Sequence, residues 1–268
     1  KVLPAAKEAA GVKCAITMEV IPEDSTHGIP THLWDTLISS QNNGLGTLEA
    51  AARDIVRSDT ACLIYTSGTG GAPKGVMLNH GAILCNCSGS TEMLKEIGLD
   101  DEVFLSFLPL SHSYEHTAGQ FFPIMIGAQI YYAEGIEKLA QNMLETQPTL
   151  MTAVPRLYEV MHDRIQRGVR QAGGKTEKLF NKTVALGIKQ YEDPKSMTFS
   201  DLIQNKLLTL LVRNKAKKRF GGRLKALVSG GAPLNYEIGV FFTALGIRLL
   251  QGYGQTESAP VISCLLYS

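Results

Sequence analysis

The chain has 268 residues, and its 26 lysines and arginines against 25 aspartates and glutamates give a formal net charge of +1. The length suffices for one large domain or two small ones, and 44% hydrophobic with 19% charged residues excludes an intrinsically disordered chain. This balanced charge gives no argument for nucleic-acid binding, so no nucleic-acid partner is expected.

The apolar residues argue against a transmembrane helix, and the cysteines argue against a disulfide framework or a zinc site. The longest apolar stretch, 121–133, is interrupted by proline, glycine and glutamine and is too short for a transmembrane helix. The five cysteines form no C-x-x-C pair, which indicates reduced thiols rather than a disulfide framework or a zinc site. We therefore expect a cytoplasmic protein, with at most a peripheral contact at the inner face of a membrane.

Strand-like and helical runs alternate along the chain. This pattern predicts an α/β fold of mostly parallel sheets with flanking helices, because helical crossovers join parallel strands. Residues 1–57 are interpreted as the end of an upstream βα region and a connector, with a helix over 2–10, a strand over 13–20 and a short helix near Trp34. We expect further protein before this start.

Residues 58–268 are predicted to form the main unit. Its predicted strands are 61–66, 103–107, one ending near 132, 149–154, 224–228, 247–251 and one at the C-terminus. Its predicted helices are 79–97, one before the strand that ends near 132, 136–146, 155–170 and one ending near 245. Residues 111–116 are predicted to form a polar loop, and residues 252–258 a second loop. Residues 177–223 interrupt the alternation and predict a helical insertion. The last strand would leave a sheet edge open, so we expect more protein to follow.

A glycine-rich stretch from Tyr65 to Gly75 follows a predicted strand directly. Glycines let backbone N–H groups approach an anion, hydroxyls donate to its oxygens, and Lys74 supplies a positive charge. The spacing is not that of a Walker A loop, since Pro73 stands where the second glycine should be. An ordinary flexible loop would need no Pro-Lys-Gly ending. We predict a phosphate-binding loop that leads into a helix beginning near Asn79, whose side chain is expected to cap it.

This loop closely resembles the phosphate-binding signature of the adenylate-forming enzymes, the superfamily of acyl-CoA synthetases, luciferases and peptide-synthetase adenylation domains. Three later segments resemble further motifs of that family in the same order: 108–115 (LPLSHSYE), 228–234 (VSGGAPL) and 251–258 (QGYGQTES). VPRLYE at 154–159 and the helical insertion are similar to long-chain fatty acyl-CoA synthetases in particular. The family usually has a threonine where this chain has Gly70, which removes one hydroxyl from the loop.

The resemblance implies that ATP activates a fatty acid, of long chain, to an acyl-adenylate, and that coenzyme A then accepts the acyl group. The site must bring two anions together and neutralise the charge on the leaving pyrophosphate, which calls for Mg²⁺ and cationic donors. A ribose-binding aspartate and a C-terminal lobe with a lysine are expected outside this chain. The chain alone is therefore expected to be weak or inactive.

The resemblance also assigns individual residues. The nucleotide-binding residues are Thr66, Ser67, Gly68, Thr69, Gly71, Lys74, Gly230, Gly231, Ala232, Gln251, Gly252, Tyr253, Gly254 and Thr256. The catalytic residues are Lys74, His112, Thr256 and Glu257. Glu257 is expected to bind Mg²⁺ because hard cations prefer oxygen ligands, and Thr256 to donate to the α-phosphate. His112 is expected to position or neutralise the substrate carboxylate, and Tyr253 either stacks on adenine or packs at a strand end.

Two other functions stay open. A fatty acyl-AMP ligase would hand the acyl group to a carrier protein, so the thiol acceptor distinguishes it. A nucleotide-binding fragment or pseudoenzyme would show no turnover. His112 and His116 stand four residues apart, but no third ligand accompanies them, so we expect no zinc site.

Residues 206–225 combine leucines with lysines and arginines and contain no acidic residue. Such a segment is compatible with a peripheral contact to an anionic membrane. The alternative is a buried helix that ends in a solvated basic turn. A homodimer is also considered, with no residues assigned to its interface.

Overall fold

The computed structural model describes residues 2–9, 11–40, 45–67 and 71–267, which fall into two compact units, Lys1–Ile55 and Val56–Ser268. The first unit contains α1 (Val2–Glu8), β1 (Ala15–Thr17), β2 (Thr31–Leu33), α2 (Trp34–Ser39) and α3 (Leu45–Asp54). β1 and β2 pair in parallel. The strand predicted over 13–20 is thus much shorter, because β2 offers only three partners. The predicted connector contains α3, whose alanines, leucines and glutamate favour a helix.

The second unit begins with an antiparallel hairpin, β3 (Thr60–Thr66) and β4 (Lys74–Asn79), in which Thr66 lies opposite Lys74. The predicted direct passage from the glycine-rich loop into a helix is wrong. Residues 76–78 pair with β3, and burying Ile64 and Leu78 on one face favours the second strand. The helix follows as α4 (His80–Leu94), and the predicted Asn79 cap accepts a hydrogen bond from the Ala82 amide at 2.7 Å.

A six-stranded sheet forms the centre of this unit. Its strands are β5 (Val103–Ser106), β6 (Gln129–Tyr132), β7 (Leu150–Ala153), β8 (Ala226–Ser229), β9 (Leu249–Gly254) and β10 (Val261–Tyr267). Their order is β10-β9-β8-β7-β5-β6, with β10 alone antiparallel to its neighbour. This mostly parallel sheet with flanking helices confirms the predicted α/β class.

The helices of the second unit continue with α5 (Phe122–Met125), α6 (Leu139–Thr146), α7 (Pro155–Ala172), α8 (Gly174–Glu192), α9 (Phe199–Leu208), α10 (Asn214–Arg219) and α11 (Tyr236–Ala244). Glu115–Phe121 and Thr209–Arg213 are π-helical, and Lys95–Ile97, Pro194–Ser196 and Thr256–Ser258 are 3₁₀ turns. Pro155 is the first residue of α7 as predicted. No helix in the described parts of the chain is long and apolar enough to cross a membrane.

Apolar side chains cover both faces of the sheet, because successive strand residues point to opposite sides. On one face, Leu105, Met151 and Leu227 pack with α6, α7, α8 and α11. On the other face, Phe104, Leu150 and Ala226 pack with α4, α5 and the hairpin. The sheet is therefore the rigid layer from which the connecting loops project.

The insertion helices are fastened to α11. The buried Arg213 guanidinium donates to the carbonyl oxygens of Ala244 at 2.7 Å and Thr183 at 3.3 Å. A Cβ at Gly187 would lie 2.6 Å from the Ala244 backbone, so α8 and α11 approach too closely for any larger residue. These contacts make α8–α10 part of the packed unit.

Candidate active site

The carboxyl edge of the parallel strands gathers the sequence motifs. Ser229 ends β8 and lies in register with Gln251 of β9 and Ala153 of β7. The segments 228–234 and 251–258 therefore emerge side by side. β5 pairs with both β6 and β7, so successive strands are added on opposite sides of β5. This is the topological switch point at which open α/β sheets bind ligands.

A hydrogen bond joins two motifs that are far apart in sequence. The Ser113 and Thr256 hydroxyl oxygens lie 3.0 Å apart, with Ser113 buried and Thr256 half-buried. The turn Thr256–Ser258 also packs against β4, whose first residue is Lys74. The hairpin, the loop after β5 and the loop after β9 thus meet in one place.

Asn86 on α4 holds the same turn from the other side. Its Nδ2 donates to the Ser258 carbonyl at 2.8 Å, and its Oδ1 accepts from the Val261 amide at 2.7 Å. Asn86 is not predictable from the sequence, because nothing in its local pattern distinguishes it from other polar residues of a helix. Its function depends on the tertiary approach of α4 to the loop after β9.

Glycines in two motifs are required by close contacts. A Cβ at Gly254 would lie 1.9 Å from the Pro260 carbonyl oxygen, and one at Gly230 would lie 2.9 Å from the Tyr114 ring. Tyr114 in turn donates its hydroxyl proton to the Val228 carbonyl at 3.0 Å. Burial raises the pKa of the Tyr114 phenol, so it stays a protonated donor.

The buried Glu115 carboxylate bridges β5 and β7 at the switch point. Its Oε1 accepts from the Ser106 hydroxyl at 2.6 Å and the Phe107 amide at 3.2 Å, and its Oε2 accepts from the Thr152 hydroxyl at 2.7 Å. Burial raises its pKa, although these hydrogen bonds act in the opposite direction. Glu115 belongs to the motif 108–115, but its local sequence predicts no function for it.

The loops predicted around these motifs are shorter than expected. Glu115 and His116 lie in the π-helical segment rather than in a polar loop. The reason is that the Glu115 carboxylate is buried against Ser106 of β5 and Thr152 of β7. Gly252, Tyr253 and Gly254 are strand residues of β9, since β10 pairs with them. The loop after β9 is thereby confined to a tight turn.

The predicted site residues differ in exposure. Ser67, Gly71, Lys74, His112, Gly231, Ala232, Tyr253 and Glu257 are exposed, Thr66, Gln251, Gly252, Gly254 and Thr256 are half-buried, and Gly230 is buried. The predictions for Gly68 and Thr69, and the departure at Gly70, lie outside the described residues. Tyr253 is 64% exposed, so it does not pack at the strand end and its ring is available for stacking.

Glu257 has the properties that Mg²⁺ needs. Within the described ranges its carboxylate has no hydrogen-bond or ion-pair partner, and no group of three His, Cys, Asp or Glu could hold a metal alone. Mg²⁺ usually takes one or two carboxylates together with substrate phosphates. An exposed, unpaired carboxylate on the turn that packs against β4 fits that requirement.

A small apolar cavity lies behind this edge, between α4, the π-helical segment and the sheet. Its volume is about 40 Å³, and Met93, Tyr114, Ala118, Phe122 and Gly252 are among its lining residues. It holds little more than one water molecule, whose share of liquid volume is about 30 Å³. A larger apolar group would enter only if α4 or the π-helical segment moved.

Comparison with known proteins identifies the family. Residues 3–267 match the AMP-binding enzyme family. Peroxisomal long chain acyl-CoA synthetase 6 of Arabidopsis thaliana is 36% identical over 207 residues, which cover 76% of this chain and 28% of that protein. Long chain acyl-CoA synthetase 1 of the same organism is 30% identical over 270 residues, covering 95% and 39%. The chain thus spans roughly a third of the length of these relatives.

A solved structure shares the fold. o-Succinylbenzoate CoA synthetase of Bacillus subtilis, solved with ATP and magnesium, has a TM-score of 0.60 and 17% identity, over 94% of this chain and 41% of that one. Such a low identity supports the fold alone. The family match over nearly the whole chain establishes that this chain belongs to the AMP-binding enzyme family.

Proposed function

We propose that this protein activates a long-chain fatty acid with ATP to an acyl-adenylate and then transfers the acyl group to coenzyme A. The carrying observation is the Ser113–Thr256 hydrogen bond, which joins the loops that bear His112 and Glu257. Two relatives named long chain acyl-CoA synthetases support the substrate class and the acceptor.

The nucleotide would lie across the carboxyl edge. Lys74 and the hydroxyls of the hairpin loop would bind the β- and γ-phosphates, and the Thr256 hydroxyl would donate to the α-phosphate, where charge changes during attack. Glu257 would hold Mg²⁺, which supplies charge neutralisation to the phosphates. The backbone of 230–232 would approach adenine, with the Tyr253 ring stacked on it.

His112 would position the fatty-acid carboxylate. Its Nδ1 accepts from the Tyr114 amide at 3.2 Å, so the neutral ring carries its proton on Nε2. Nε2 can then donate to a carboxylate oxygen. A carboxylate nucleophile needs no general base, so this residue contributes a hydrogen bond that orients the carboxylate.

The segment 206–225 supports a peripheral contact with an anionic membrane. Leu207, Leu210 and Leu211 are exposed there next to basic residues, a combination that suits the membrane interface. Flotation with anionic liposomes should fall on charge reversal at Lys217 and Lys218. Unchanged flotation would reject this contact. A cytoplasmic location and a homodimer stay predictions.

The test of the proposed activity is fatty-acid-dependent ATP–pyrophosphate exchange with Mg²⁺, measured on the full-length protein with acids from acetate to oleate. Long acids should stimulate exchange, and Glu257→Gln or Lys74→Ala should lower it by about 100- to 1,000-fold, the usual cost of a charge-stabilising group. Glu49→Gln, at an exposed carboxylate of α3, is the control. If none of these acids stimulates exchange, nucleotide binding without turnover is favoured instead.

A second arm identifies the thiol acceptor. Once exchange is established, coenzyme A and an acyl carrier protein are supplied separately and the acyl thioester is measured. Coenzyme A should accept the acyl group. Transfer to the carrier protein alone would replace the proposal with a fatty acyl-AMP ligase.

A further inference from the structure

A second, larger cavity lies away from the motifs, between α6, α7, α8 and α10. Its volume is about 440 Å³, within the range of small-molecule sites. None of the predicted nucleotide-binding or catalytic residues lines it. Its walls are mainly apolar and include Leu139, Met161, Ile165, Val169, Phe180 and Leu211.

The cavity is elongated along α7. Its lining residues on that helix run from Leu157 to Ala172, a length of about 22 Å at the α-helical rise. Small residues keep the walls apart: Ala140, Gly168, Ala172 and Ala216 all line it. A Cβ at Gly168 would meet nothing within 4 Å, so this space is open for a narrow apolar ligand.

The charged residues of the lining are all cationic. Arg164, Lys215 and Arg219 line the cavity, and no acidic residue does. None of the three forms an ion pair with any described residue. An anionic group on a bound ligand would therefore find unpaired positive charge next to the apolar walls.

Two of these cations, Lys215 and Arg219, stand on α10, whose end lies at the edge of the sheet opposite the motifs. The Arg164 guanidinium instead donates to the Ile136 carbonyl oxygen at 3.3 Å, before the start of α6. Gly221 follows Arg219 closely, and a Cβ there would lie 2.5 Å from the Met143 carbonyl oxygen and 2.8 Å from the Gln147 Cα. Residues 143–147 end α6 and lead into the amino end of β7. The end of α10 thus marks the amino edge of the sheet, whereas Ser229 and Gln251 stand at the carboxyl edge.

We propose that this cavity binds a single long acyl chain whose anionic head group pairs with Lys215 and Arg219. It is a second lipid site, separate from the adenylation edge, and it does not depend on turnover there. The apolar length selects a long chain, and the unopposed cations select an anion over a neutral lipid of equal length.

Photolabelling of the full-length protein tests the location. A long-chain fatty acid with a terminal diazirine is irradiated without ATP, while a non-hydrolysable acyl-adenylate analogue fills the adenylation edge, and labelled peptides are mapped by mass spectrometry. Label should appear in residues 155–180. Gly168→Phe should fill the cavity and lower this labelling at least tenfold. Gly89→Phe is the control, since Gly89 is also helical with open space around it but lies on α4.

Affinity measurements test the charge. The double variant Lys215→Gln with Arg219→Gln should weaken oleate binding at least tenfold and leave binding of oleyl alcohol unchanged, whereas Lys218→Gln should change neither. Oleoyl-CoA is measured beside oleate to distinguish a free acid from a thioester bearing phosphates. Thermal melting verifies that each variant is folded.

Two results would overturn the proposal: labelling of 155–180 that survives Gly168→Phe in a folded protein, or label confined to the small cavity around residues 90–122. Because binding is read without ATP, a failure of pyrophosphate exchange leaves the proposal standing. Conversely, loss of labelling leaves the proposed activity standing.

Discussion

The hydroxyl oxygens of Ser113 and Thr256 lie 3.0 Å apart although 143 residues separate them in the chain. Ser113 is fixed at the start of a buried helical segment, whereas Thr256 belongs to a half-buried turn. The bond therefore orients the Thr256 hydroxyl, which is proposed to face the α-phosphate.

Ser113→Ala should lower the rate of adenylation by about 2- to 10-fold, because it removes one hydrogen bond of about 0.5–1.5 kcal/mol. Pyrophosphate exchange of the full-length protein measures the effect, which should fall on kcat more than on KM for ATP. Ser111→Ala on the same loop is the control, since Ser111 is exposed. Equal rates in both variants would contradict an orienting function for Ser113.

Gly254→Ala should destabilise the fold by about 1–3 kcal/mol, the usual cost of overpacking, because its Cβ would overlap the Pro260 carbonyl oxygen. Gly252→Ala is a matched control in the same strand, since its Cβ would lie 3.7 Å from the Ser229 carbonyl oxygen, an ordinary contact. Urea unfolding of both variants decides the matter. Similar losses of unfolding free energy at the two positions would show that the contact with the Pro260 carbonyl oxygen does not cause the destabilisation at Gly254.

Asn86→Ala should cost about 1–3 kcal/mol of stability, since two hydrogen bonds of about 0.5–1.5 kcal/mol each are lost. Asn86→Asp should cost less because a carboxylate still accepts from the Val261 amide but cannot donate to the Ser258 carbonyl. Thermal melting and pyrophosphate exchange are measured together. We expect stability and exchange rate both to decrease in the order wild type, Asn86→Asp, Asn86→Ala. An Asn86→Ala variant as stable and as active as the wild type would contradict the inference that Asn86 holds the turn.

Glu115 predicts a pH dependence of stability. Burial raises its pKa in the folded state above 4.5, so the folded protein binds this proton more tightly than the unfolded chain. The resulting stabilisation is complete below pH 4.5 and is lost as the pH rises through the raised pKa. The unfolding free energy of the wild type minus that of Glu115→Gln should therefore fall as the pH rises.

Glu102 should show the opposite dependence of stability on pH and serves as an internal control. Burial would raise its pKa, but hydrogen bonds from Lys225, Thr149 and the Asp100 amide, with the Lys225 charge, lower it below 4.5. Its stabilisation is present above pH 4.5 and is lost as the pH falls through the lowered pKa. Urea unfolding of Glu102→Gln and Glu115→Gln over this range measures both. Parallel trends would show that one of the two assignments is wrong.

Much of the fold was predictable because local patterns dominate it. The strands β5 to β9, the Asn79 cap and the start of α7 at Pro155 were predicted within a few residues. Hydrophobic periodicity, proline and a capping side chain act within a few positions, so they can be read directly from the chain. The hairpin strand β4 was missed since its formation depends on pairing with β3.

The sequence by itself determined the fold class and the order of the motifs that place this chain in its family. Only the tertiary structure decided which side chains meet: Ser113 with Thr256, Asn86 with the turn after β9, and Glu115 with both β5 and β7. The physical reason is that these contacts join residues from different elements. Their geometry follows from how the strands and helices pack, and no local spacing encodes that packing.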